Sequence, residues 1–109
     1  MKKFKIDNVT IKLGTTAQEN WDLIDESNGD FWWIHLTAFP SGHVIIEEDS
    51  PSDKIIQYAG EICKNHTKYR NMRNLKISVT QCKNLIKGEK KGEVRFKSNH
   101  KVKHLLISR

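Results

Sequence analysis

The chain has 109 residues, 37% of them hydrophobic and 29% charged, which suits one domain and excludes both a two-domain architecture and an intrinsically disordered chain. No run approaches the roughly 20 apolar residues of a membrane span, and the basic start Met1-Lys2-Lys3-Phe4-Lys5 leads into no apolar stretch of the signal-peptide kind. The net charge of +6 conceals an asymmetry: residues 1–63 hold 5 Lys/Arg against 11 Asp/Glu, a net of −6, and residues 64–109 hold 14 against 2, a net of +12.

Lys3 to Ile6 and Val9 to Leu13 alternate polar and apolar residues around Asp7-Asn8, which predicts a β-hairpin ended by Gly14. Thr16-Ala17-Gln18-Glu19 has the form of a capping box, and a helix is expected to about Ser27 with Ala17, Trp21, Leu23 and Ile24 as its buried stripe. Asn28-Gly29-Asp30 breaks it. Phe31 to Leu36 is the most apolar segment and reads as a central strand, with Phe31, Trp33 and His35 on one face and Trp32, Ile34 and Leu36 on the other. A loop with Pro40 and Gly42 leads to a second strand, His43 to Glu47, antiparallel to the first.

Ser50-Pro51-Ser52-Asp53 reads as a helix start with Ser50 as cap and Pro51 in the first turn. The helix runs to Asn65 or His66, and Ile55, Ile56, Ala59, Ile62, Cys63 and His66 form its buried face. Leu75 to Thr80 is a strand, Gly88-Glu89-Lys90-Lys91-Gly92 a basic turn, and Glu93 to Phe96 and Lys103 to Ser108 two final strands. The order ββ-α-ββ-α-βββ predicts a single α+β domain over residues 1–109, with two helices on a mostly antiparallel sheet.

Three sets of residues carry candidate chemistry. Cys63 and Cys82 match neither a disulfide framework nor zinc-ligand spacing, so free thiols in a reducing, cytoplasmic setting are expected. His35 and His43 lie on neighbouring strands, and with Ser41 they invite a hydrolase or metal reading. That reading ranks last, because no Gly-x-Ser-x-Gly elbow and no suitably spaced acid accompanies them. The bland alternative is one histidine fastening the turn and the other packing beside Trp33. No catalytic residue, metal or cofactor is expected.

The turn Pro40-Ser41-Gly42-His43 offers consecutive N–H groups near Ser41, Gly42 and His43 that suit an anion, although many such turns only reverse the chain. The basic set Lys64, Lys68, Arg70, Arg73, Lys83, Lys87, Lys90, Lys91 and Arg95, extended by Lys97, Lys101 and Lys103, supplies cations for phosphates if the fold gathers them. Tyr69, Trp32 and Trp33 are candidates to stack on unpaired bases, against the alternative that the tryptophans are core.

Trp33-Ile34-His35 followed by Phe39-Pro40-Ser41-Gly42-His43-Val44-Ile45-Ile46 resembles the NFACT-R domain, formerly domain of unknown function 814, which carries a Trp-Phe-His strand and then Pro-Gly-Ser-His-Val. Leu13-Gly14 with Glu19-Asn20, and Lys76 to Gln81 with Ile86-Lys87-Gly88 and Gly92-Glu93-Val94, extend the resemblance over about residues 10–97. The family's Gly-Ser order is Ser41-Gly42 here, which shifts the residue free to adopt positive φ.

The resemblance implies an RNA-binding or ribosome-associated module of quality control in translation, standing without the N-terminal domains and coiled coil of larger members. The expected function is therefore non-enzymatic nucleic-acid binding, with tRNA or rRNA favoured over DNA. The alternative is a protein-interaction module that docks on a ribosome or a nucleic-acid-processing complex.

Overall fold

The Asp7-Asn8 corner sets the first element. Both residues adopt positive φ (50° and 65°), which suits the right-handed twist of two strands joined by a two-residue turn. In the computed structural model, which describes residues 1–107, these strands are β1 (Lys2–Ile6) and β2 (Val9–Leu13). Then follow α1 (Ala17–Glu26), β3 (Trp32–Leu36), β4 (Val44–Ile46), α2 (Asp53–Asn65), β5 (Lys76–Gln81), β6 (Leu85–Lys87), β7 (Val94–Phe96) and β8 (Lys103–Leu106). The domain is α+β, and six strands pair antiparallel throughout in the order β1-β2-β4-β3-β5-β8. A separate hairpin joins β6 to β7.

The order is ββ-α-ββ-α-ββββ, one strand more than expected. β6 has three residues and a mixed exposure pattern, too short to show a period of two. The last strand ends at Leu106, and Ser108 of the expected span lies outside the described residues.

Alternation along the strands divides the apolar side chains between two layers. Ile34 and Leu36 of β3, with Ile11, Val44, Ile46, Ile77 and Val79 from its neighbours, pack under α2 through Ile55, Ala59, Ile62 and Cys63. On the opposite face Trp33 and Ile45 pack with Leu23 of α1, Cys82 and Leu85, and Phe96 of the hairpin closes that smaller core. The division of Trp33 and His35 from Trp32, Ile34 and Leu36 is thus as the sequence implies.

Three local details differ. The cap of α2 is Ser52, whose Oγ accepts the Ile55 N–H at 3.3 Å; Ser50 and Pro51 lie before the helix, because Ser52 has the extended backbone a cap requires. His66 is the exposed C-cap of α2, with its Nδ1 against the Ile62 carbonyl at 2.8 Å. The α1 stripe centres on Leu23, with Trp21 and Ile24 half-buried and Ala17 exposed.

A buried amide fixes the chain between β7 and β8. Asn84 donates to Thr80 Oγ1 (3.0 Å) and to the Ser98 carbonyl (2.9 Å), and its Oδ1 accepts the Ser98 N–H (2.9 Å). Thr80 Oγ1 in turn donates to the Lys101 carbonyl at 2.9 Å. Asn84→Ala strands several polar groups at once. It should lower the unfolding free energy by about 2–4 kcal/mol in urea titration, and a loss below about 1 kcal/mol would mean that the 97–101 segment is held by other means.

Candidate functional site

At one end of the sheet, β2, α1 and the turn before β4 meet at a single oxygen. The His43 N–H donates to Asn20 Oδ1 at 3.0 Å, and the Gly14 N–H donates to the His43 carbonyl at 2.9 Å. A Cβ at Gly14 would lie 2.2 Å from Asn20 Oδ1, and a Cβ at Gly42 would lie 2.2 Å from the Gly14 carbonyl oxygen. Both positions need glycine for room. Gly92 is the one glycine with positive φ among the described residues, so Gly42 serves close approach rather than a left-handed backbone.

The turn is fastened from within. Ser41 Oγ accepts the Leu36 N–H and donates to the Gly42 carbonyl, each at 3.1 Å, and the Cys63 thiol donates to Ser41 Oγ at 3.3 Å. Burial pushes the Cys63 thiol up to about 11 and the Cys82 thiol up to about 12, which leaves both protonated and unreactive at neutral pH. Of the consecutive N–H groups near Ser41, Gly42 and His43 that suit an anion, the one on His43 is taken by Asn20. Ser41 is a staple of the turn, and its hydroxyl partners are not imidazoles.

Trp33, His35 and His43 form one aromatic cluster. His35 stacks on Trp33 with ring centroids 5.7 Å apart, and His43 meets both rings edge-on at 5.3 and 5.4 Å. His35 Nδ1 donates to the Leu36 carbonyl at 2.5 Å. His43 is only 3% exposed, and neither its Nδ1 nor Trp33 Nε1 has a hydrogen-bond partner among the described residues. Burial, aided by the neighbouring His35, pushes the His43 pKa down to about 3, and burial also lowers that of His35. Two neutral imidazoles therefore sit side by side at pH 7. No three His, Cys, Asp or Glu side chains among the described residues gather into a metal-binding arrangement.

A cleft of about 850 Å³ opens over this turn. Lys2 reaches it from β1, Lys68 from the segment after α2, and Lys91 from the β6–β7 turn. Lys91 is placed by its neighbour Gly92, whose backbone lies against Ala17 of α1, while Trp21 Nε1 holds the same hairpin by donating to the Glu93 carbonyl at 2.9 Å. His35, His43 and Tyr69 also line the cleft, and no Asp or Glu does. Glu19 lies close in sequence. Its carboxylate accepts from the amino terminus at 2.8 Å and from Thr15 N and Oγ1 at 2.9 and 2.7 Å, which lowers its pKa to about 2. Thr16 Oγ1 accepts the Glu19 N–H as a capping box requires, but the reciprocal bond falls on Thr15.

The basic set does not gather as a whole. Of the nine cations singled out from the sequence, Lys68 and Lys91 line the cleft. Lys90 is exposed on the same hairpin turn as Lys91. Arg70 and Arg73 border a separate hollow beyond α2, and Lys64 beside them is buried. Lys83 pairs with Asp30 at 2.9 Å, Lys87 with Asp25 at 2.7 Å, and Arg95 lies 3.7 and 3.8 Å from Glu89 and Glu93. Trp33 is buried in the smaller core, whereas Trp32 is half-buried and packed against the larger one, and Tyr69 is half-buried against Phe39 at 4.3 Å. Lys2, Asn20, His66 and Thr67 are cleft residues that the sequence did not single out for a site. Only the Gly14 to Asn20 spacing pointed to any of them.

No family model matches the chain, and no curated protein does. Among solved structures, one described as the C-terminal of the fibronectin/fibrinogen-binding protein from Streptococcus suis is similar to it, with a TM-score of 0.85 and 24% identity. The match covers 96% of this chain and 43% of that one. It shows a shared fold.

Two outcomes test the architecture of this site. An unfolded His43 takes up a proton near pH 6.5 that the native one refuses until about pH 3, so native stability is full above pH 6.5 and declines as the pH falls. Glu19 acts only below its ordinary 4.5. Between pH 6.5 and 4.5 the unfolding free energy should fall with a limiting slope of about 1.4 kcal/mol per pH unit from His43, with His35 acting in the same direction, and His43→Gln should make the fall shallower. A pH-independent stability over that interval would mean that the imidazoles charge freely. Gly42→Ala should cost more than about 2 kcal/mol in thermal unfolding, whereas an unchanged melting temperature would show that the turn and β2 separate without penalty.

Proposed function

We propose that this domain binds RNA without catalysis, through the cleft beside the Pro40–His43 turn. The observation that carries the reading is the composition of the cleft. Three lysines from distant parts of the chain line one hollow and no acid does, in a protein that has 13 acidic residues. Phosphates require cations at roughly backbone spacing and no competing carboxylate. Tyr69 also lines the cleft, and Lys68, with its Nζ 5.5 Å from the centre of that ring, sets a charge beside it, an aromatic and a cation of the kinds that meet a base and its phosphate.

Lys90, exposed beside Lys91 on the hairpin turn, adds to the positive field at the cleft, whereas Arg70 and Arg73 border a separate hollow. Lys83, Lys87 and Arg95 have carboxylate neighbours, and Lys64 is buried, so none of these is assigned a phosphate of the strand in the cleft. RNA is preferred to DNA, and a ribosome-associated setting is inferred, on the resemblance to NFACT-R domains alone. Little sequence preference is expected, since phosphate contacts carry no base information.

A second reading, docking on a protein, is favoured by the description of the similar solved structure as part of a fibronectin/fibrinogen-binding protein. The acidic run Glu47-Glu48-Asp49 would then present a face to a basic partner.

Titration of single-stranded RNA, structured RNA and duplex DNA over a salt series separates these. Three phosphate contacts on a single strand give a log–log slope of roughly −2. Replacing Lys2, Lys68 and Lys91 together by Gln should remove most of that slope and weaken binding by roughly tenfold or more. A flat salt response in the parent, or a triple variant that binds RNA as well as the parent, would refute the cleft as the contact. Protein capture that survives nuclease and needs Glu47 and Glu48 would favour the second reading.

A further inference from the structure

At the opposite end of the sheet lies a second pocket, of about 500 Å³. Lys83, Lys97 and Lys101 line it, with Trp32 on one wall and Asn84 and Ser98 on another. It lies beyond the first residue of β3 and the last of β5, which pair as Trp32 with Gln81. The cleft lies at the other end of β3, where His35 stands.

The pocket is built rather than incidental. The segment that brings Lys97, Ser98 and Lys101 over the end of β5 is tied down through Asn84 and Thr80, which are 4% and 0% exposed. Lys97 N–H donates to the Asn84 carbonyl at 2.8 Å, and the Asn84 side chain makes its three bonds to Ser98 and Thr80. A buried polar network of this kind costs desolvation unless every member is satisfied, and here it rigidifies the loop. The result lines one concavity with three lysines. Asp30 answers one of them, Lys83, while Lys97 and Lys101 have no acidic partner within 4.0 Å among the described residues. An anion in the pocket would supply that missing counter-charge without new ordering of the backbone.

Trp32 adds a second kind of recognition. Its Nε1 donates to the Asp49 carbonyl at 2.8 Å, which fixes the indole, and the half-buried ring forms part of the wall. A fixed aromatic surface beside lysines suits a planar base with a phosphate attached.

We infer that this pocket binds a nucleotide phosphate, with the phosphate held by Lys97 and Lys101 beside Lys83 and the base against Trp32. The inference does not rest on the cleft, with which the pocket shares no residue. A free nucleotide and one unit of an RNA strand present the same chemistry, so the test carries both.

The Trp32 indole N–H signal in an NMR titration of the whole chain is a local reporter. ADP and inorganic pyrophosphate are added in separate arms, with adenosine as the phosphate-free arm and a short adenine-only RNA as the polymer. ADP should shift the Trp32 signal saturably, adenosine should do so far more weakly, and rising salt should weaken ADP. Lys97→Gln with Lys101→Gln should weaken ADP by roughly tenfold or more, while Lys68→Gln with Lys91→Gln should leave it unchanged. If the RNA displaces ADP, the occupant is a strand; if ADP binds and the RNA does not, it is a free nucleotide. Silence of the Trp32 signal to ADP and RNA up to millimolar concentrations would overturn the inference. So would an ADP affinity that survives loss of both lysines.

Discussion

Asn20 Oδ1 is the point on which the candidate site depends. One side-chain oxygen on α1 receives the N–H of the turn residue His43, the absence of a side chain at Gly14 lets the end of β2 approach that oxygen, and its absence at Gly42 lets the turn approach the Gly14 carbonyl. Backbone amides at the end of a sheet otherwise need water or a cap. Here a helix supplies the acceptor, so the turn, α1 and β2 cannot move independently. That fixes where Lys2 and the Pro40–His43 turn stand relative to one another. The β6–β7 hairpin is added to the same frame by Trp21 and by Gly92 against Ala17, and it brings Lys91.

The apolar alternation of β3 was enough to put Trp33 and His35 on one face, and the loop between β3 and β4 was short enough to make His35 and His43 neighbours. Those inferences held because a sheet with both faces covered fixes its register through burial. The grouping of the cations was not legible. Lys83, Lys87 and Arg95 belong to the basic half by position, yet each meets a carboxylate, and two of those carboxylates, Asp30 and Asp25, come from the acidic half. A charge tally along the chain cannot show that folding brings the two halves into register. Lys64 is a similar case, since its place on α2 buries a side chain that composition alone would leave in solvent.

Cap and turn residues were legible in kind but not always in place. Thr16 and Glu19 cap α1 as their spacing implies, with one bond displaced to Thr15. Ser50 and Ser52 both satisfy the sequence rule for a cap, and only the backbone conformation chooses Ser52. β6 was missed because three residues carry no periodicity, and what makes it a strand is its pairing with β7, from Leu85 with Phe96 to Lys87 with Val94.

The six-stranded sheet is open, and among the described residues no further strand pairs with β1 or β8 at its edges. β1 carries Lys2, Lys3 and Lys5, and β8 begins at Lys103. Lysines on an exposed edge deter a second chain from adding a strand, because the newcomer would have to desolvate or repel their charges. Part of the basic character of this protein thus belongs to the edges of its sheet. Lys2 belongs to both groups, since it stands on the edge strand and also lines the cleft. One lysine thus serves the sheet edge and the cleft wall together.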